Sequence, residues 1–449
     1  MRFLICLTLL LFFCPRAADA QRVGRRALQE HMDELVRYNP VYSEGTTGFS
    51  VCDLNTGDQL YGYNAERYFV PASNVKLLTF YAAQRLLGGE VPALRYRTHG
   101  DTTDVWGTGY PLLLHPAFYG FDELSRWFAE RSGLVVVHAP PAETPPRYGA
   151  GWSWDDYNYG YVYERSALPV YGNRLYVDMV FAPNGSAPPE LYGAPPDIAN
   201  ALVQDLEQDR AISRVEGSNQ FTVGSSFYYP DRFPVERPIT VTPRGAAARL
   251  TAAFPNMVAE PGELPHPDPA DLTTVNATLP DTLYRKLLQD SDNYLAEQLV
   301  ILAASNRYGW ADEERFFDFA VDTLFREIQL GDLRYADGSG LSRYNLVKPR
   351  QFAQLLGALD RQVGRDRLTL LLPAGGVNGT LERRFGNRPQ TYVWAKTGTL
   401  SGVTCVSGLL HCRSGRWLSF SFMHNNIMGR TADYYREMER ALGWIYDNL

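Results

Sequence analysis

A chain of 449 residues, 45% hydrophobic and 21% charged, is long enough for two or three domains and too apolar to be read as disordered. Its net charge of −7 argues against nucleic acid as a partner. Tyrosine is unusually common, at 28 residues, which fits either a cleft that handles polar polymers or tyrosine-rich cores.

Residues 1–20 read as a secretory leader. Arg2 gives a short basic start, the apolar run at 3–13 is too short to span a membrane, and Ala18 and Ala20 supply the small residues of a cleavage site. Bulky Phe12 and Phe13 ahead of Cys14 argue against lipidation. Without the leader's own +1 (Arg2, Arg16, Asp19) the remainder carries −8 and three cysteines, Cys52, Cys405 and Cys412. The last two fall along one predicted strand, roughly 23 Å apart at about 3.3 Å per residue, beyond disulfide reach. All three read as buried small hydrophobes.

Residues 25–38 predict a helix. The alternation at 48–54 predicts a strand, 55–57 a turn and 59–63 its hairpin partner. A helix follows at 71–87, with Val75, Leu78 and Ala82 on its apolar face. Between about 97 and 270, short strand-like pieces at 134–138, 175–181 and 220–229 alternate with Pro- and Gly-rich turns, and 255–269 is a proline-rich boundary. Helical pattern returns at 283–304, and strands at 392–396, 402–411 and 417–424. The end, 431–446, is amphipathic, with Tyr435, Met438, Leu442 and Ile445 on one face. Its polar face is acidic, so it predicts a packing helix rather than a membrane anchor. This order predicts an α+β domain whose first and last strands share a sheet, interrupted by an inserted module. The histidines are scattered, and no HExxH or CxxC cluster suggests a metal site.

Three motifs carry chemistry. Ser73-Asn74-Val75-Lys76 puts a hydroxyl and an amine three residues apart on one helical face, so that Lys76 can take the Ser73 proton if its pKa is lowered. Alone the motif is weak, since such a pair occurs by chance about once in a chain this long. Ser291-Asp292-Asn293 at a helix junction can pass a proton and hold a substrate amide; alone it reads more readily as a helix cap. Lys396-Thr397-Gly398-Thr399 lies on a strand. There Gly398 lets a substrate backbone approach and the lysine and threonines offer donors to a carboxylate. The backbone N–H groups of Ser73 and Thr399 are candidates for an oxyanion hole.

Together, in this order, the three form the signature of serine β-lactamases and penicillin-binding proteins. The wider sequence resembles the low-molecular-mass class C penicillin-binding proteins, D-Ala-D-Ala carboxypeptidase/endopeptidases of the S13 type. Residues 335–343 (Tyr-Ala-Asp-Gly-Ser-Gly-Leu-Ser-Arg) and 376–381 (Gly-Val-Asn-Gly-Thr-Leu) look like that family's DGSGLSR segment and G-V-x-G-T-L loop. The resemblance implies a transpeptidase-like fold, an antiparallel sheet flanked by helices, with a large, mainly β insertion after the first catalytic helix. On that reading 21–96 and 271–449 form the catalytic domain and 97–270 the insertion. It also implies a serine D-alanyl-D-alanine carboxypeptidase or endopeptidase acting on peptidoglycan stem peptides outside the cytoplasm. Such an enzyme is acylated by β-lactams, needs no cofactor or metal, and assigns catalysis to Ser73, Lys76, Ser291, Asn293 and Lys396. The segment Gly151-Trp152-Ser153-Trp154-Asp155-Asp156 resembles the family's tryptophan-rich segment, where an aspartate meets the free amine of the stem peptide's diamino acid. Asp156 is the better match and Asp155 its neighbour; a solvated acidic turn is the alternative.

Tyr171-Gly172-Asn173 satisfies the Tyr-x-Asn motif of class C β-lactamases and related esterases. Its flanks, 166–177, read as strand–turn–strand within the insertion, which favours Ser291 as the middle group. A class A β-lactamase would need a Glu-x-x-Leu-Asn loop between Ser291 and Lys396, which is missing. A non-catalytic peptidoglycan- or β-lactam-binding protein is the alternative of a different class.

Overall fold

The structure, a computed structural model, describes residues 24–449 except 25, 119, 121, 140–145, 181–189, 230–233 and 265. The leader expected at 1–20, with Cys14, lies outside the described residues.

The central sheet joins the two ends of the chain. Strands β1 (Thr46–Asp53) and β2 (Gln59–Tyr63) form the expected hairpin. Between β2 and the next strand lies helix α1 (Lys76–Leu86), preceded by a 3₁₀ turn at Ala72–Val75. The helix expected at 71–87 is therefore a tight turn followed by an α-helix.

Three sheets follow between 91 and 277. The largest contains β3 (Val91–His99), β4 (Thr102–Gly107), β5 (Gly133–His138), β12 (Met257–Gly262) and β13 (Thr273–Ala277), in the order β12-β5-β4-β3-β13. Between β5 and β12 lie two three-stranded sheets. One joins β6 (Arg174–Val180), β7 (Glu190–Ala194) and β11 (Val235–Pro238). The other joins β8 (Val203–Gln204), β9 (Ile212–Arg214) and β10 (Phe221–Val223). The strand expected at 220–229 ends at Val223, and a 3₁₀ turn at Ser225–Tyr228 follows to bury Phe227. Residue 97 lies inside β3, which pairs antiparallel with β13 beyond residue 270.

Helix α2 (Asp281–Gln289) and helix α3 (Asn293–Tyr308) account for the helical pattern at 283–304, with the expected junction at Ser291-Asp292-Asn293 between them. Ser291 separates them in a left-handed conformation, φ 60°. Helix α4 (Pro349–Val363) precedes strands β14 (Val393–Leu400), β15 (Val403–His411) and β16 (Trp417–Asn425), and helix α5 (Thr431–Asn448) closes the chain. The central sheet runs β14-β15-β16-β1-β2, antiparallel throughout, so the first and last strands meet as β1 against β16.

Strand alternation splits β15 between two cores. Val406 and Leu410 face a core with Leu28, Met32, Val36 and the α5 residues Met438, Leu442 and Ile445. Cys405 and Leu409 face a larger core built on α1, α3 and α4, which continues into the five-stranded sheet through Leu94, Val105 and Val135. That continuity fixes the inserted sheet against the helices that carry the site. Cys52, Cys405 and Cys412 are buried free thiols, as expected. Among the described residues no helix is long and apolar enough to cross a membrane, and no cluster could hold a metal ion.

Candidate active site

Ser73 sits in the 3₁₀ turn ahead of α1, and the backbone immediately before it is strained. Ala72 is left-handed, φ 48°, although it has a side chain. Two glycines make room for this turn. A Cβ on Gly340 would lie 2.0 Å from the Ala72 carbonyl oxygen, and one on Gly398 would lie 2.7 Å from the Pro71 oxygen and 3.0 Å from the Ser73 nitrogen. On the side where a Cβ would project, Gly398 lies against the nucleophile's own turn. Fully buried Asn74 ties that turn to the sheet, donating to Ser407 Oγ at 2.7 Å.

Lys76 opens α1 and is fully buried. Its Nζ donates to Ser73 Oγ (3.0 Å), Asn293 Oδ1 (2.5 Å) and the Ser339 carbonyl (2.7 Å). Burial holds its pKa down at about 8, against the upward pull of Asp337, Glu297 and Asp292. Lys396, equally buried, donates to Ser291 Oγ at 2.9 Å and to the Thr397 carbonyl at 2.7 Å. Burial first, and the nearby Lys76 second, push its pKa well below the ordinary lysine value. The two serine–lysine pairs, from opposite ends of the sequence, therefore stand side by side.

The Ser-Asp-Asn segment is a helix cap and a site at once. Asp292 is the N-cap of α3 and accepts from the Leu295 N–H at 3.0 Å. Burial would raise its pKa, but the charge of Arg174, with Lys286 and the Leu295 N–H, brings it to about 2. Ser291 and Asn293 flank the cap. Asn293 accepts from Lys76 and donates through Nδ2 to the Tyr161 carbonyl at 2.8 Å, which joins the inserted region to the lysine.

A cleft of about 630 Å³ opens over these groups. Ser73, Ser291, Asn293 and Thr399 line it on one side, Trp152, Asp155 and Asp156 on the other. All ten residues singled out from the sequence therefore lie in or directly behind one cleft. Gly398 also packs on the Ser73 turn, and the Thr397 hydroxyl donates to Thr380 Oγ1 at 2.8 Å. Tyr171 does not line the cleft. Tyr171, Gly172 and Asn173 form a left-handed turn before β6, and the Asn173 amide is spent on the Glu164 carbonyl and Ser166 Oγ.

The 335–343 segment, singled out by the resemblance, supplies the Ser339 carbonyl to Lys76 and accepts Trp152 Nε1 at Asp337 (2.9 Å). Other supports were missed. Glu297 and the arginines 165 and 174 were not singled out. The spacing of Glu297 four residues after Asn293, one helical turn, is the signal that could have found it.

The chain matches the D-Ala-D-Ala carboxypeptidase 3 (S13) family over residues 28–101 and 142–445. It is 28% identical over 474 residues to a D-alanyl-D-alanine carboxypeptidase of Actinomadura sp. (strain R39), covering 92% of this chain and 84% of the relative. A shorter stretch of 168 residues is 34% identical to D-alanyl-D-alanine carboxypeptidase DacB of Haemophilus influenzae, covering 36% of this chain and 34% of that one. The crystal structure of penicillin binding protein 4 (dacB) from Haemophilus influenzae superposes with a TM-score of 0.71 at 22% identity, over 93% of this chain and 99% of the other, a likeness of fold.

Proposed function

The chain belongs to the D-Ala-D-Ala carboxypeptidase 3 (S13) family and is a serine carboxypeptidase, and we propose that Ser73 is the nucleophile with which it opens D-alanyl-D-alanine bonds in peptidoglycan stem peptides. The observation that carries this assignment is the Lys76 amine 3.0 Å from Ser73 Oγ, with the second pair, Lys396 and Ser291, beside it.

Lys76, brought to about 8 by burial, accepts the Ser73 proton as Oγ attacks the carbonyl of the penultimate D-alanine. The backbone N–H groups of Ser73 and Thr399 receive the oxyanion. Ser291, hydrogen-bonded to Lys396, passes a proton to the departing amine, and Asn293 both orients Lys76 and faces the substrate backbone. Water then hydrolyses the acyl-enzyme. The chemistry is the same whether the leaving amine belongs to a free D-alanine or to a cross-linked chain, so carboxypeptidase and endopeptidase action share this site. A β-lactam presents its amide to Ser73 in the same way and remains as a slowly hydrolysed ester. Asp155 and Asp156, on the facing wall, receive the diamino acid's ammonium. The enzyme works outside the cytoplasm, where peptidoglycan is.

Labelling with fluorescent penicillin and mass analysis of products from a defined pentapeptide test this reading. The wild type is expected to take the label at Ser73 and to release one D-alanine, and Ser73→Ala to do neither. Label retained on another serine in Ser73→Ala would overturn the assignment.

A further inference from the structure

One fully buried carboxylate next to the reacting groups has no part in the scheme above. Glu297 lies on α3 one turn after Asn293, and its Oε1 accepts the Ser339 N–H at 2.7 Å. The carbonyl of the same residue, Ser339, accepts Lys76 Nζ at 2.7 Å. Helix α3 therefore grips the lysine twice: directly through Asn293, and through one residue of the 335–343 segment through Glu297.

We propose that Glu297 is a positioning residue for acylation: it holds Ser339 so that its carbonyl aims the Lys76 amine at Ser73, and its negative charge tunes how firmly that amine keeps a proton. This rests on the Ser73–Lys76 reading above. In this low-dielectric setting the carboxylate's charge also reaches the amine through space, where it favours the protonated form. The alternative, a glutamate buried only to pack, is disfavoured because burying an unused carboxylate is costly.

The groups facing the pair are few. Lys76 is faced by Asp337 from the 335–343 segment, by Glu297 and Asp292 from α3, and by Lys396 from β14. Glu297 is faced by Asp337, by the Arg165 guanidinium at 3.5 Å, by Glu313, and by the Tyr335 phenol. Burial, and then the charge of Asp337, raise Glu297 to about 7 against the pull of Arg165. Glu313 shares Arg165 and so competes for the cation.

The sign follows from the need for a neutral Lys76. Acylation rises with pH as Lys76 loses its proton, near pH 8. An ionised Glu297 favours the charged amine, so replacing it with the isosteric amide moves this limb to lower pH.

The experiment measures the rate of penicillin acylation of the full-length enzyme against pH. Glu297→Gln, whose amide oxygen still accepts the Ser339 N–H, is expected to shift the limb down by roughly one pH unit. Glu297→Asp keeps the charge and is expected to keep the limb near its wild-type position while lowering the rate. Glu313→Gln, which leaves Arg165 to Glu297, is expected to leave the limb in place. Loss of rate in Glu297→Gln with an unmoved limb would reduce Glu297 to a packing role and overturn the proposal. So would a shift in Glu313→Gln as large as that in Glu297→Gln. If Glu297→Gln does not fold, a limb that moves in Glu297→Asp overturns the proposal by itself. Failure of the underlying reading would show separately, as wild-type protein that takes no label at Ser73.

Discussion

The cleft has two walls, and they are held in place by different physics. On the side of the central sheet, backbone lies against backbone. Gly340 and Gly398 bring their chains onto Ala72 and Ser73 at distances that leave no room for a methyl group. On the side of the inserted sheets, the wall is joined to the helices by buried arginines. Arg165 pairs with Glu297 and Glu313, and Arg174 pairs with Asp292 at 3.1 Å and Glu236 at 2.8 Å while stacking over the Tyr163 ring. Close packing fixes reacting atoms to fractions of an ångström. Buried ion pairs are weak sources of net stability but are strongly disruptive when half of one is removed. The reacting groups thus sit where geometry has no slack. The wall that meets the rest of the substrate shares an apolar core with the helices and adds these charged contacts to it, behind a solvent-facing stretch where Trp154 is 74% exposed.

The sharpest way to break this contrast is at the junction. Arg174→Ala would leave buried Asp292 with only Lys286, at 3.8 Å, and half-buried Glu236 without its cation. It is expected to destabilise the protein by about 3–5 kcal/mol in denaturant unfolding, with Asp292 failing as the cap of α3. An unchanged midpoint would mean that apolar contacts, not the arginine, dock the insertion.

Next in size is the test of which wall supplies the proton. Ser291→Ala is expected to lower kcat/KM by about 100-fold or more, as for the loss of a proton-transfer group. Tyr171→Phe, in the inserted region, is expected to change it little. The reverse result would move that function to the inserted region.

The smallest effect concerns the rim. Asp156→Asn or Asp155→Asn is expected to reduce kcat/KM roughly 10- to 100-fold for a stem-peptide mimic bearing a free amine, as for the loss of a desolvated ion pair. The acetylated mimic and a simple penicillin should be nearly unaffected. Equal losses on both mimics would mean that this wall does not read the side chain.

The same contrast explains what could be read from the sequence. That Ser73, Lys76, Ser291, Asn293 and Lys396 come together was legible because three short motifs coincide in the order of a known signature. The hairpin and the last three strands were legible because short apolar and aromatic runs bounded by turn residues mark strands, here with a core on each face. The supports were not legible, because they join positions far apart in the chain. Glu297 reaches Lys76 only through Ser339, and Asp337 anchors Trp152 across 185 positions. The junction at Ser291-Asp292-Asn293 was legible from its capping residues, but its backbone was not: a left-handed serine brings no glycine or proline to mark it. The strand expected at 220–229 failed because Phe227 is buried from a tight turn rather than from an extended chain.

That left-handed serine sets a constraint on how the protein can vary. At φ 60° the backbone of Ser291 is in a region that glycine occupies without strain. Glycine would relax the α2–α3 junction and delete the hydroxyl that Lys396 holds. Folding and catalysis therefore pull this position in opposite directions. A variant library sorted only for resistance to heat would drift toward glycine at 291 and enrich well-folded, inactive molecules, whereas one sorted for turnover would retain the less comfortable residue.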